Sequence, residues 1–116
     1  MLEPYTKGRL FRSQQELKHG FWLLSELQAG RVKTFEYEKS YDLRVEGRLI
    51  CRIEPDFTVF LADGTVQAHE IKSPATMTPV WAVKRKLFEA VYPHIRYRVW
   101  ESGFERNFKV IDYDKE

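Results

Sequence analysis

The sequence predicts an α/β (α+β) domain, a mixed β-sheet flanked by helices. The prediction comes from apolar residues at helical spacing over 13–29 and 79–92, a series of short β-branched and aromatic segments over 32–72, and an alternating segment at 96–100 that follows the second helix. With 116 residues, 43% hydrophobic and 31% charged, the chain reads as one packed domain spanning 1–116, with any disorder at its ends.

The first helix opens with Ser13 and Glu16, a capping-box pair in which the serine caps the helix and the glutamate reaches back to the cap residue's N–H. Leu17, Phe21, Leu24 and Leu27 then form an apolar stripe that ends at Gly30, a residue suited to a left-handed C-terminal cap. Strands are expected at about 32–37, 41–45, 48–53, 56–61 and 65–72, separated by Glu46-Gly47, Glu54-Pro55 and Asp63-Gly64, and they read as an antiparallel meander. Thr78-Pro79 starts the second helix, whose Val80, Val83, Leu87 and Val91 recur until Tyr92-Pro93. Arg96 to Trp100 is a half-buried strand returning to the sheet, and Phe104, Phe108, Val110 and Ile111 within 102–116 suggest a docked strand or a dimer contact.

Composition excludes several classes. One cysteine, Cys51, forms no internal disulfide, and no Cys/His spacing fits zinc. No apolar run approaches the length of a membrane span and no signal-peptide h-region follows Met1, so a cytoplasmic protein without a membrane partner is expected. A net charge of +2 does not announce a nucleic-acid binder; that argument rests on clusters at Lys7, Arg9 and Arg12, at Lys84-Arg85-Lys86 and at Arg96 and Arg98. Each cluster taken singly also fits a solvated face.

Pro55-Asp56 and Glu70-Ile71-Lys72 carry the chemistry. Glu70 and Lys72, two apart on one strand, face the same side. A hairpin closed at Ala62-Asp63-Gly64 brings Asp56 to them, in one of two registers. A two-residue turn pairs Asp56 with Ile71 and packs Val59 and Leu61 on Ala68 and Val66. A three-residue turn with Gly64 left-handed pairs Asp56 with Glu70, and a bulge near Pro55 reconciles the two demands. Converging carboxylates supply oxygen ligands for Mg²⁺, while a neighbouring lysine stabilises charge developing on a phosphoryl group, which suits phosphodiester hydrolysis.

These residues resemble the PD-(D/E)xK nuclease superfamily and, within it, small phage-associated proteins compared with junction resolvases. The likeness spans about residues 8–100: Ser13-Gln14-Gln15-Glu16, Gly30-Arg31-Val32, Pro55-Asp56-Phe57, Lys84-Arg85-Lys86-Leu87-Phe88 and Tyr92-Pro93. It implies a restriction-endonuclease-like fold and a DNA endonuclease using Mg²⁺ or Mn²⁺ on branched DNA such as a Holliday junction. It further implies catalysis by Glu16, Asp56, Glu70 and Lys72, metal ligation by Asp56, Glu70, Glu16 and Ile71, and DNA contacts from Lys84, Lys86 and Arg12. A homodimer is expected by analogy, with a recombination or transposition protein as another partner. Glu38 stands where the family tends to have glutamine.

Alternatives stay open for most of these. Glu16 fits a purely capping role, and Lys84 and Lys86 fit the solvent side of a helix whose Val83 and Leu87 face the core. His69 reads as a surface or packing residue on the opposite face from Glu70, and His19 lies within one turn of Glu16. Trp22, Trp81 and Trp100 read as core or interface anchors. A DNA-cleaving transposase subunit, or a non-catalytic DNA-binding module of the same fold, are the rival functions.

Overall fold

Secondary structure in the computed structural model, which describes residues 2–102 and 108–112, follows the alternation of periods along the chain. A short helix α1 (Glu3–Thr6) precedes α2 (Gln14–Gln28); β1 (Val32–Tyr37), β2 (Tyr41–Val45), β3 (Arg48–Ile53), β4 (Phe57–Leu61) and β5 (Val66–Lys72) follow; a 3-10 turn (Pro74–Thr76) leads into α3 (Pro79–Val91), then β6 (Ile95–Ser102) and β7 (Phe108–Asp112). The α/β reading holds. Neither α1 nor the 3-10 turn was expected, since each is too short to show a period.

The strands do not form one meander. The main sheet has the order β1-β4-β5-β6-β7, and β2-β3 form a separate two-stranded sheet. β1 therefore pairs with β4, while the β2-β3 hairpin, turned at Glu46 (φ 49°) and Gly47 (φ 81°), leaves the sheet. Its inward residues explain the departure: Tyr41, Leu43 and Ile53 are buried with Phe88 of α3, so the hairpin gains more by covering that helix than by extending the sheet. β5 and β6 run parallel, joined through α3, and β7 pairs antiparallel with β6 as a docked strand.

Two cores result, one on each face. On one, α3 and the β2-β3 hairpin pack against Ala68, Tyr97 and Val99; on the other, α1 and α2 pack against Val32, Phe35, Tyr37, Phe57 and Val59.

The buried face of each helix departs from the valine and leucine pattern. In α3, Val80 and Val83 are about two-thirds exposed, and Trp81, Arg85 and Phe88 face inward. The expectation that Val83 faces the core is thus overturned, whereas Leu87 is partly buried. An indole and a phenyl ring remove more apolar area from water than two valines, so they set the helix rotation. In α2, Phe21 is likewise exposed, and the buried set is Glu16, His19, Gly20, Leu23 and Leu24. Gly20 leaves room for the Phe11 ring, since a Cβ there would lie 2.9 Å from the tip of that ring and push it aside.

Candidate active site

The hairpin register places the acids. Phe57 pairs with His69 and Thr58 with Ala68, the register of the three-residue turn, with Gly64 at φ 91° and the Leu61 N–H bonded to the Thr65 carbonyl at 2.9 Å. Extended by one residue, this register sets Asp56 opposite Glu70. β4 begins at Phe57, so Asp56 precedes the ladder; its carboxylate accepts the Ile71 N–H at 2.7 Å, and its carbonyl accepts the Glu38 N–H at 2.9 Å. Glu38 itself sits at φ 55°, left-handed backbone that few non-glycine residues adopt.

Asp56 and Glu70 are both buried and hydrogen-bond to each other. Burial pushes the Asp56 carboxyl up to about 6, opposed by the Ile71 N–H and by Lys72. Burial, reinforced by the Asp56 charge, holds Glu70 well above the usual carboxylate range, with Lys72 again opposing. Two like charges in contact cannot both ionise cheaply, so the pair retains a proton when no cation is bound.

A cavity of about 350 Å³ opens beside the pair, lined by Arg12, Glu16, Glu54, Asp56, Glu70, Ile71, Lys72 and Thr76. All four residues expected to be catalytic thus meet, together with Ile71 and Arg12. The other two basic residues are on α3 and outside this lining: Lys84 is half-buried and Lys86 exposed.

Glu16 reaches the cavity from the first turn of α2, where a negative charge suits the helix N-terminus. Only half of the capping box forms. The Ser13 hydroxyl accepts the Glu16 N–H at 3.1 Å, but the Glu16 carboxylate accepts the Tyr37 hydroxyl at 2.5 Å rather than returning to the Ser13 backbone. Burial, with the Glu16 hydrogen bond, raises Tyr37 to about 12. Glu38, the departure from the family pattern, does not line the cavity; its carboxylate pairs with Arg12 and Arg9.

Sequence reasoning missed Glu54 and Thr76 on the cavity wall, and Tyr37, Tyr97 and Trp81 behind the acids. Glu54 and Thr76 lie in connecting segments without a period, and the other three are indistinguishable by pattern from core aromatics.

His69 and His19 belong to the opposite face. His69 Nδ1 lies 3.0 Å from His19 Nε2, and its Nε2 lies 2.8 Å from Gln67 Oε1. An acceptor at Gln67 makes His69 Nε2 the donor and leaves its Nδ1 to accept from His19. Trp22 and Trp100 pack around the two rings, so His69 is a buried packing residue and His19 lies away from the cavity. Burial, with Arg98 nearby, lowers His19 to about 3; burial followed by His19 and Arg98 lowers His69 as well.

The donor set fits a hard divalent cation. Mg²⁺ takes one or two protein carboxylates and keeps several waters, and Asp56 with Glu70 offers two carboxylates at the wall of an open cavity. Among the described residues, no three His, Cys, Asp or Glu side chains form a ready-made cage. Closed zinc-type sites need four such ligands, and this arrangement is not of that kind.

Also among the described residues, no helix is long and apolar enough to cross a membrane. No protein-family model matches the chain, and no curated protein matches it. Among solved structures, the chain aligns with the crystal structure of SSO0001 at 13% identity and a TM-score of 0.44, over 89% of this chain and 55% of that one. The chain thus spans about half the length of that protein, and a likeness of this degree carries no conclusion about its chemistry.

Proposed function

We propose that the chain is a metal-dependent endonuclease that hydrolyses DNA phosphodiester bonds, acting on branched or structured DNA as a cytoplasmic homodimer, in keeping with the PD-(D/E)xK resemblance. The observation that carries the reading is the buried, hydrogen-bonded Asp56–Glu70 pair with Lys72 beside it on the wall of one cavity. A protein rarely buries two acids in contact unless a cation or a proton-transfer task compensates the cost.

In this reading Asp56 and Glu70 hold Mg²⁺ or Mn²⁺, with Ile71 contributing from the backbone and Glu16 at the edge. When bound, the cation supplies charge that polarises a phosphoryl group and acidifies water. The Ile71 N–H fixes the Asp56 carboxylate in direction. Lys72, two residues from Glu70 on β5, offers its ammonium to the charge that develops on the phosphoryl oxygens as water attacks phosphorus and the P–O bond to the leaving strand breaks. Arg12 and Glu16 line the same cavity, and Lys84 and Lys86 would hold the DNA backbone away from the cut.

The test is cleavage of branched and linear DNA by purified protein with Mg²⁺ or Mn²⁺, repeated after chelation. Asp56→Ala is expected to abolish cutting, by at least about a hundredfold, while circular dichroism shows the fold intact. Failure to cut any DNA with either metal would count decisively against the reading.

A further inference from the structure

Behind Glu70 lies a directed chain of donors. The Trp81 indole N–H meets the Tyr97 hydroxyl oxygen at 3.1 Å, and the Tyr97 hydroxyl is in turn hydrogen-bonded to the Glu70 carboxylate. An indole N–H only donates, so it fixes the Tyr97 oxygen as acceptor and turns the hydroxyl proton toward Glu70. Both aromatic residues are buried, and Tyr97 is completely enclosed, which leaves its hydroxyl no route to another partner in water.

The same indole touches the other end of the motif. The Lys72 ammonium lies 5.3 Å from the centre of the Trp81 ring, within cation–π range. Trp81 is itself held in place, because its backbone N–H bonds to the Thr78 hydroxyl that caps α3, at 3.1 Å. One side chain near the start of α3 therefore orients a carboxylate through its N–H and an ammonium through its π-face.

We propose that Trp81 and Tyr97 are positioning residues that set Glu70 for metal capture, and that the Trp81 ring sets Lys72 for the phosphoryl group. The proposal rests on the nuclease reading for its role in cleavage, but its metal-binding half stands apart from it. Partners that orient a metal ligand are typically worth about ten- to a hundredfold in metal affinity.

Mn²⁺ binding is measured calorimetrically on the protein without DNA, and cleavage is then followed as a function of Mn²⁺ concentration. Tyr97→Phe and Trp81→Phe, which each break the donor chain but keep an aromatic ring, should bind Mn²⁺ about tenfold or more weakly, with cleavage recovering at high Mn²⁺. Trp81→Leu, which also removes the platform under Lys72, should stay slow at saturating metal. Thermal melting identifies any variant that fails to fold, and the remaining phenylalanine variant then decides. Wild-type Mn²⁺ affinity in the folded phenylalanine variants overturns the proposal, as does a lack of Mn²⁺ binding by the unsubstituted protein. If the unsubstituted protein binds Mn²⁺ but cuts no DNA, the nuclease reading falls while the binding comparison still judges the positioning role.

Discussion

Asp56 and Glu70 hold more protons in the folded chain than in the unfolded one, and that fixes the sign of their contribution to stability. A carboxyl whose folded pKa is raised stabilises fully below its unfolded value, near 3.8 for Asp56, and loses that contribution as pH rises through about 6. The buried histidines have the opposite sign. Their lowered pKa values give stability that is present above 6.5 and lost as pH falls toward about 3 for His19. In metal-free protein the two slopes oppose each other across mildly acidic pH, so a single pH profile mixes them. Comparing the protein with Asp56→Asn isolates the acid pair. The difference in unfolding free energy should move in favour of the variant between pH 4 and 7, by up to roughly 3 kcal/mol for a shift from 3.8 to about 6. Saturating Mg²⁺ should reverse the preference, because the cation stabilises only the intact pair. Urea unfolding at several pH values checks this, and a difference that stays constant with pH would show that the pair carries no such strain.

At the level of elements, the N-terminus of α2 separates capping from site chemistry. Ser13→Ala should cost about 1 kcal/mol, since it removes the acceptor for the Glu16 N–H. Glu16→Gln should cost less, because the amide oxygen still accepts from Tyr37 and the reciprocal half of the box is absent. Equal losses in denaturant unfolding would mean that the carboxylate does cap the helix. Local signals of this kind were legible in the sequence: the serine cap, the Thr78 cap, Gly64 at its turn, and the same-face pair Glu70 and Lys72. What the sequence leaves undetermined is competition between distant segments. The strand pattern of β2 and β3 is the same whether they extend the sheet or cover α3, and the valines of α3 repeat at core spacing although Trp81 and Phe88 displace them. The hairpin register had two solutions by pattern, and the three-residue turn prevails, with Asp56 freed from the ladder to take the Ile71 N–H. Tyr37 and Tyr97 read as core residues because burial leaves a pattern in sequence and a hydroxyl's partner does not.

Across the whole molecule the sheet separates two environments: α2 and a histidine–tryptophan cluster on one side, α3 with Glu70 and Tyr97 on the other. In the nuclease reading, a net charge of only +2 leaves the grip on DNA to local charge. α3, packed against the face that carries Glu70, bears the half-buried Lys84 and the exposed Lys86, while Arg12 lines the cavity itself. Each phosphate contact that is lost lowers the slope of log affinity against log salt by about 0.9. Lys84→Ala and Lys86→Ala should each weaken binding of uncleaved DNA in Ca²⁺ and flatten that slope by about one contact, whatever the base sequence. Asp56→Ala should leave the slope unchanged, because in the proposed reading it removes a metal ligand and no phosphate contact. Fluorescence anisotropy over a salt series distinguishes these cases. If neither lysine variant alters the slope while binding persists, the DNA lies on another face, and the basic residues nearer the cavity mouth, Arg12 among them, become the ones to substitute.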